Sequence, residues 1–313
     1  MRHIFIVNPH SGPQDATGTI RSAVAGRTDC EVYVTKGPQD ATRYIKSLCQ
    51  TAREQLRFYA CGGDGTLNEV VNGAVGFSHA AVGCYPSGSG NDFVKYFGGK
   101  RAFLDIDAQL LAPERSVDLI RVNDRYAINV VNIGFEATAA ARMVNFRRFP
   151  LFQGPRSYYP AVVTTLIDSM KHPFRLTADG EKLCDGKILL CTFANGEYVG
   201  GSFRCAPRAS VEDGLLEVCM VTPLSRLNFA GMIGMYQRGD HLDSPKMQKY
   251  ITYRRAQRIE IESPRETLIC LDGEITKGSR FTVEAMPGAL RFILPESAFH
   301  SGKGVDMALE KAV

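Results

Sequence analysis

Residues Cys61-Gly62-Gly63-Asp64-Gly65-Thr66-Leu67-Asn68 concentrate three glycines, one carboxylate and one hydroxyl directly after an apolar run at 56–60. Glycines at such a turn let the backbone approach a ligand closely and take conformations closed to other residues. Leu67, Val70, Val71 and Ala74 then recur at helical spacing, so the turn opens a helix whose first amides and dipole favour an anion such as phosphate. A bare carboxylate would repel that phosphate, so Asp64 implies Mg²⁺ or a hydroxyl donor beside it. Without a ligand, the same residues make a strand-to-helix turn with Asp64 as N-cap.

Two further turns share this character. Asn8-Pro9-His10-Ser11-Gly12 closes a strand at 3–8, and Pro86-Ser87-Gly88-Ser89-Gly90-Asn91-Asp92-Phe93 follows an apolar run at 80–84. Taken alone each pattern is weak, because Asn, Pro, Ser and Gly suit any turn and Asn91 or Asp92 could simply cap a short helix. The elements that would position them alternate. A strand at 31–35 is followed by the spaced apolar residues Ala41, Ile45 and Leu48, and strand and helix signals keep alternating to about residue 110. That order predicts a parallel sheet with helices on both faces, binding ligands at the carboxyl ends of its strands.

From about residue 116 the pattern becomes β-rich. Runs at 117–122 and 126–133 flank Asn123-Asp124 as a hairpin, and further runs lie at 186–194, 214–221, 257–262, 267–271 and 280–285, with one strong helical stretch among them. Asp272-Gly273 between two such runs is a strong hairpin signal in its own right.

Gly62 to Gly73 resembles the nucleotide-binding signature of the diacylglycerol kinase catalytic-domain family, which includes bacterial soluble lipid kinases and sphingosine kinases. NAD kinases share the Gly-Gly-Asp-Gly-Thr core, but the continuation Asn68-Glu69-Val70-Val71-Asn72-Gly73 is more similar to the lipid kinases. The Asn8–Gly12 turn and the Gly88–Phe93 turn resemble two more elements of that family, with Ser89 standing where threonine is usual. The resemblance implies a Rossmann-like α/β nucleotide-binding domain at 1–120, joined by a C-terminal return at 290–313, and a β-sandwich lipid-substrate domain at 121–289. It implies ATP contacts from Asn8, Pro9, His10, Ser11, Gly12, Thr35, Gly62, Gly63, Asp64, Gly65, Thr66, Leu67, Asn68, Gly88, Ser89, Asn91 and Asp92. Asp64 would organise Mg²⁺ through water, and Glu274 of Asp272-Gly273-Glu274 would accept the proton of the attacking hydroxyl. A structural Mg²⁺ is implied at the Asp213 carboxylate and the backbone carbonyls of Ser210 and Leu215, an oxygen set that suits this ion. Asp213-Gly214 also reads as a plain exposed turn.

Composition limits the alternatives. The chain has 313 residues, 44% hydrophobic and 22% charged, enough for two domains with real cores. A formal charge of +4 is too small to argue for nucleic acid. No run approaches about 18 apolar residues, so a membrane-spanning helix is not expected, and the short N-terminal apolar run does not make a signal peptide. Nine cysteines without C-x-x-C spacing read as buried thiols of a reducing compartment, hence a cytoplasmic protein. There is no G-x-x-x-x-G-K-[ST] motif and no protein-kinase signature.

Residues 142–175 carry six cations against Asp168 alone, interleaved with Phe146, Phe149, Phe152, Tyr158 and Tyr159. Such a tract suits peripheral contact with an anionic membrane surface. Tyr159, Val162 or Val163, Leu166 and Met170 within it have helical spacing and read as packed on the domain, which would leave the cations as solvated flanks. The leading expectation is an ATP-dependent lipid kinase acting on a lipid hydroxyl, most often diacylglycerol in the resembling family, giving phosphatidic acid. A NAD kinase with a soluble substrate and a nucleotide-binding regulator without turnover are the alternatives. A homodimer is left open.

Overall fold

The computed structural model describes residues 1–12, 14–146 and 158–298, with backbone only at Tyr158 and Tyr159. In the N-terminal half, β3 (Leu56–Gly62) is buried at every position and β4 (Ala80–Pro86) almost so. Continuous burial of this kind requires a sheet covered on both faces. These strands pair in parallel with β1 (Arg2–Val7) and β2 (Cys30–Val34) in the order β4-β3-β1-β2. One face packs Ile4, Ile6 and Phe58 under α2 (Asp40–Thr51) and α3 (Asp64–Ala74). The other packs Phe5, Val7 and Tyr59 with Ile20 of α1 (Thr17–Ala23) and Ile106 of α4 (Ile106–Leu111). Gly73 lies so close to Ile45 that an added Cβ would come within 2.8 Å of it, which lets α2 and α3 pack tightly.

The second half is a β-sandwich. Its strands are β5 (Glu114–Val122), β6 (Arg125–Ala127), β7 (Val130–Gly134), β8 (His172–Ala178), β9 (Glu181–Ile188), β10 (Leu190–Ala194), β11 (Leu216–Val221), β12 (Ile251–Ala256), β13 (Arg258–Leu271) and β14 (Glu274–Ile293). Inward residues Val131, Ile133, Leu176, Phe193, Val218, Ile261 and Phe281 form one core. A bulge between Glu262 and Thr267 lets β13 pair with β8 on one side of the break and with β7 on the other. β14 spans 20 residues. It pairs with β13 and β5, then reaches the first half, where Phe292 aligns with Val82 of β4 in parallel. The segment after residue 298, which the sequence reading also assigned to the return, lies outside the described residues.

Several sequence expectations need correction here. Among the described residues the β-rich half contains four α-helices: α5 (Phe135–Phe146), α6 (Tyr158–Asp168), α7 (Arg226–Arg238) and α8 (Pro245–Gln248). α7 fully buries none of its 13 residues, so it carries no strict apolar stripe to read. The run at 186–194 is broken at Leu189 between β9 and β10, while 257–262 and 267–271 belong to one bulged strand.

Candidate active site

Three turns meet at the carboxyl ends of β1, β3 and β4, as the parallel order dictates. Their backbones touch. A Cβ on Gly12 would stand 1.9 Å from the Ser87 carbonyl oxygen, and one on Gly88 would stand 2.3 Å from the Gly63 Cα. Gly12 has φ +83°, which alone favours glycine there. The Gly62 carbonyl accepts the amides of Ser87 (3.0 Å) and Gly88 (3.2 Å). Asn8 donates through Nδ2 to Thr66 Oγ1 at 3.2 Å, and the Thr35 amide donates to the Val7 carbonyl at 2.9 Å, placing both residues beside the same cluster.

Asp64 does not cap the helix. Gly63 is the N-cap and Asp64 the first helical residue. Its two carboxylate oxygens accept the amides of Asn91 (Oδ2, 2.8 Å) and Asp92 (Oδ1, 2.6 Å), tying the second turn to the first. Asn91 adopts φ +51° and donates through Nδ2 to the Gly88 carbonyl at 2.6 Å, a left-handed position that asparagine tolerates. Gly90 is required there, because a Cβ would fall 2.5 Å from Asp64 Oδ2. Burial, and after it the Asp92 charge, push the Asp64 carboxyl above its ordinary range despite the two amides.

Engagement of these amides narrows the anion cradle. Ser87, Gly88, Asn91 and Asp92 spend their backbone N–H groups on protein acceptors, so the first-turn amides of α3, with those of Ser89 and Gly90, are the donors that can face phosphate. Leu67 is buried in the core and Asn68 is 2% exposed, facing the second half of the chain. Leu67 still lines the small cavity beside Gly62, Gly63, Asp64 and Asn91. His10, Gly12 and Ser89 are exposed at the rim.

Across the cleft, Asp272 (φ +48°) and Gly273 (φ +94°) form the tight turn between β13 and β14. The hairpin reading and the proton-acceptor reading thus fall on the same three residues. Glu274, the first residue of β14, is exposed and faces α3: its Oε1 lies 3.6 Å from where a Cβ on Gly65 would sit. Beneath it, Asp272 accepts the amides of Ile128 (2.8 Å), Asn129 (3.1 Å) and Val130 (2.9 Å), and burial raises its carboxyl above the ordinary range.

Sequence reasoning missed the segment at 195–204. The Gly201 amide donates to both oxygens of Asp92 at 3.0 Å, Lys95 Nζ donates to Asp92 Oδ1 at 2.5 Å and to the Gly201 carbonyl at 2.6 Å, and Asn129 Nδ2 donates to the Tyr198 carbonyl at 2.8 Å. Asn195-Gly196 and Gly200-Gly201 directly after an apolar run carry the same signal as the other glycine-rich turns.

For Mg²⁺, no three His, Cys, Asp or Glu side chains among the described residues gather as a metal site. Asp64, Asp92 and Asp272 nonetheless crowd negative charge together, an environment that suits a dication held through water. At the second implied site, Asp213 Oδ1 accepts the Leu215 amide at 3.1 Å and Oδ2 lies 3.7 Å from Arg255. The donor set is chemically adequate there, with Arg255 as a competitor for the carboxylate.

Comparison with known proteins agrees with this division. The diacylglycerol kinase catalytic domain matches residues 2–122, and the YegS C-terminal NAD kinase beta sandwich-like domain matches residues 129–294. A Chromohalobacter salexigens protein named "Probable lipid kinase YegS-like" is 31% identical over 91% of this chain and 89% of its own length. Among solved structures, a diacylglycerol kinase from Bacillus anthracis shares the fold at TM-score 0.68 and 20% identity, covering 95% of this chain and 97% of that one. A NAD kinase from Archaeoglobus fulgidus in complex with ATP shares it at TM-score 0.51 and 12% identity, covering 95% and 94%.

Proposed function

Because the chain belongs to the family of YegS-like lipid kinases that carry a diacylglycerol kinase catalytic domain, we propose that it transfers the γ-phosphoryl group of ATP to a lipid hydroxyl, with diacylglycerol as the first acceptor to test. The observation that carries this reading is the Glu274 carboxylate, borne by the β-sandwich and facing Gly65 at the start of α3. Phosphoryl transfer is mainly positioning and charge stabilisation. The amides at the start of α3 hold the phosphates, Asp64 fixes the second turn against the first, and Glu274 accepts the proton of the attacking hydroxyl. Bound with the nucleotide, Mg²⁺ would neutralise phosphate charge, with Asp64 and Asp92 facing its waters. Asp213, with the carbonyls of Ser210 and Leu215, would hold a second, structural Mg²⁺.

A lipid acceptor requires access to a membrane. No helix among the described residues is long and apolar enough to cross one, so contact would be peripheral. Arg147, Arg148, Phe149, Phe152 and Arg156 of the basic tract lie outside the described residues. Within the described part, Val162 and Met170 are buried, and Arg142 pairs with Asp168 at 2.9 Å. Vesicle sedimentation tests the contact, and equal binding to neutral and anionic vesicles argues against it.

The deciding assay follows radiolabelled phosphate from ATP into extracted total lipid, with NAD as the competing acceptor. Label in lipid supports the reading. Label in NAD replaces it with a soluble-substrate kinase, and label in neither, with ATP bound, leaves a nucleotide-binding regulator.

A further inference from the structure

The proposed cleft gathers Asp64, Asp92, Asp272 and Glu274, yet it must receive a triphosphate. Lys95 is the side chain placed to offset that charge. Its ammonium bridges the two halves of the protein, donating to Asp92 Oδ1 on the second glycine-rich turn and to the Gly201 carbonyl from the β-sandwich. A lysine has three donors, and among the described residues no third acceptor meets it. Its side chain keeps 26% of its surface exposed. The other cation nearby, Arg204, is committed to Glu197 at 2.7 Å. The two cations flank the Tyr198 ring, at 5.8 Å for Lys95 Nζ and 5.9 Å for Arg204 Cζ. Gly200 and Gly201, at φ +64° and +84°, bring this segment against the turn, where a Cβ on Gly201 would be 3.8 Å from the Gly90 Cα.

We propose that Lys95 is a catalytic residue, the cation that meets the transferred phosphoryl group while Asp92 and Gly201 hold it in place. This rests on the kinase reading above. In the step, the acceptor oxygen forms a bond to the γ-phosphorus and the bond from that phosphorus to the β–γ bridging oxygen breaks, its electron pair leaving with ADP. The acceptor proton passes to Glu274. Lys95 balances the charge spread over the three equatorial oxygens. A point charge on a flexible stem suits that role.

The plain alternative is a structural salt bridge, and kinetics separate the two. Lys95→Gln should lower kcat by about 10²–10³-fold, as loss of one preorganised donor does, with little change in KM for ATP, and Lys95→Arg should recover much of the rate. Unchanged kcat in Lys95→Gln, or a loss explained wholly by a lowered Tm, overturns the assignment. A second measurement uses the unaltered protein: acetylation of Lys95 by an amine reagent, counted by mass spectrometry, in the presence of ADP or of the β–γ imido analogue of ATP. The triphosphate analogue should protect Lys95 and ADP should not, and equal protection refutes contact with the γ-phosphate. If the unaltered protein transfers phosphate to no acceptor, the kinase reading itself falls. If it transfers phosphate while Lys95 passes neither test, only the present inference falls.

Discussion

Asn68 Nδ2 on α3 donates to Asp272 Oδ2 at 3.1 Å, joining residues 204 positions apart and both halves of the molecule. The same carboxylate holds three amides at 128–130, so the turn bearing Glu274 is anchored from both sides of the cleft.

Cutting this bond should uncouple the halves without emptying the nucleotide site. A double-mutant cycle on Asn68→Ala and Asp272→Asn is expected to show coupling of about 1.5–3 kcal/mol, as for a hydrogen bond to a charged group. kcat should fall more than nucleotide affinity. Strictly additive unfolding energies would mean that the contact carries no interaction worth the name.

Glu274→Gln keeps the shape of the side chain and removes its basicity. Lipid phosphorylation should drop by about 10²–10⁴-fold, the range for a positioned general base, while fluorescent ATP analogues bind as before. Full activity in this variant would falsify the assigned role.

The turns were legible in the sequence because glycine, hydroxyl and carboxylate residues concentrate after apolar runs, which few other structures require. What those residues do was less legible. Asp64 reads as a cap or a metal partner, yet it staples Asn91 and Asp92, a contact set by two loops converging from different strands. For Leu67 and Asn68 the resemblance implies ligand contact, and what the sequence does not show is that both side chains are buried. Lys95 and the 195–204 segment were invisible to local pattern, since their meaning arises only when the sandwich folds against the first sheet. α7 stayed hidden because it shields the sandwich without burying a stripe of its own.

Gly88→Ala should be among the most damaging single changes. Its new methyl would press on the Gly63 backbone rather than on a side chain able to move aside. A stability loss of about 1–3 kcal/mol, typical of overpacking, should accompany a loss of ATP affinity. Calorimetric titration and thermal melts would show both, and wild-type affinity would mean the turns separate more readily than their contacts suggest.

Mg²⁺ should raise the Tm of the unaltered protein relative to EDTA, and Asp213→Asn should abolish that gain. Arg255→Ala, which removes the competing guanidinium, should strengthen it. A Tm gain that survives in Asp213→Asn places the ion elsewhere.

His241 supplies an acid sensitivity. It is fully buried against the Tyr236 ring at 4.7 Å, and burial lowers its imidazole from 6.5 to about 4. Its folded-state value lies below the unfolded one, so the contribution is complete above about pH 6.5 and is lost as pH falls toward 4. At most about 3 kcal/mol should disappear over that interval. Denaturant unfolding at several pH values would detect it, and His241→Phe should flatten the slope.

The long final strand has a consequence for how this protein comes into being. β4 has β3 on one side and, among the described residues, the C-terminal end of β14 on the other, so its flank stays bare until that distant segment has left the ribosome. An N-terminal fragment ending near residue 122 would present that flank to any passing chain, inviting edge-to-edge association. Biogenesis of the nucleotide half thus waits on a strand that begins in the sandwich.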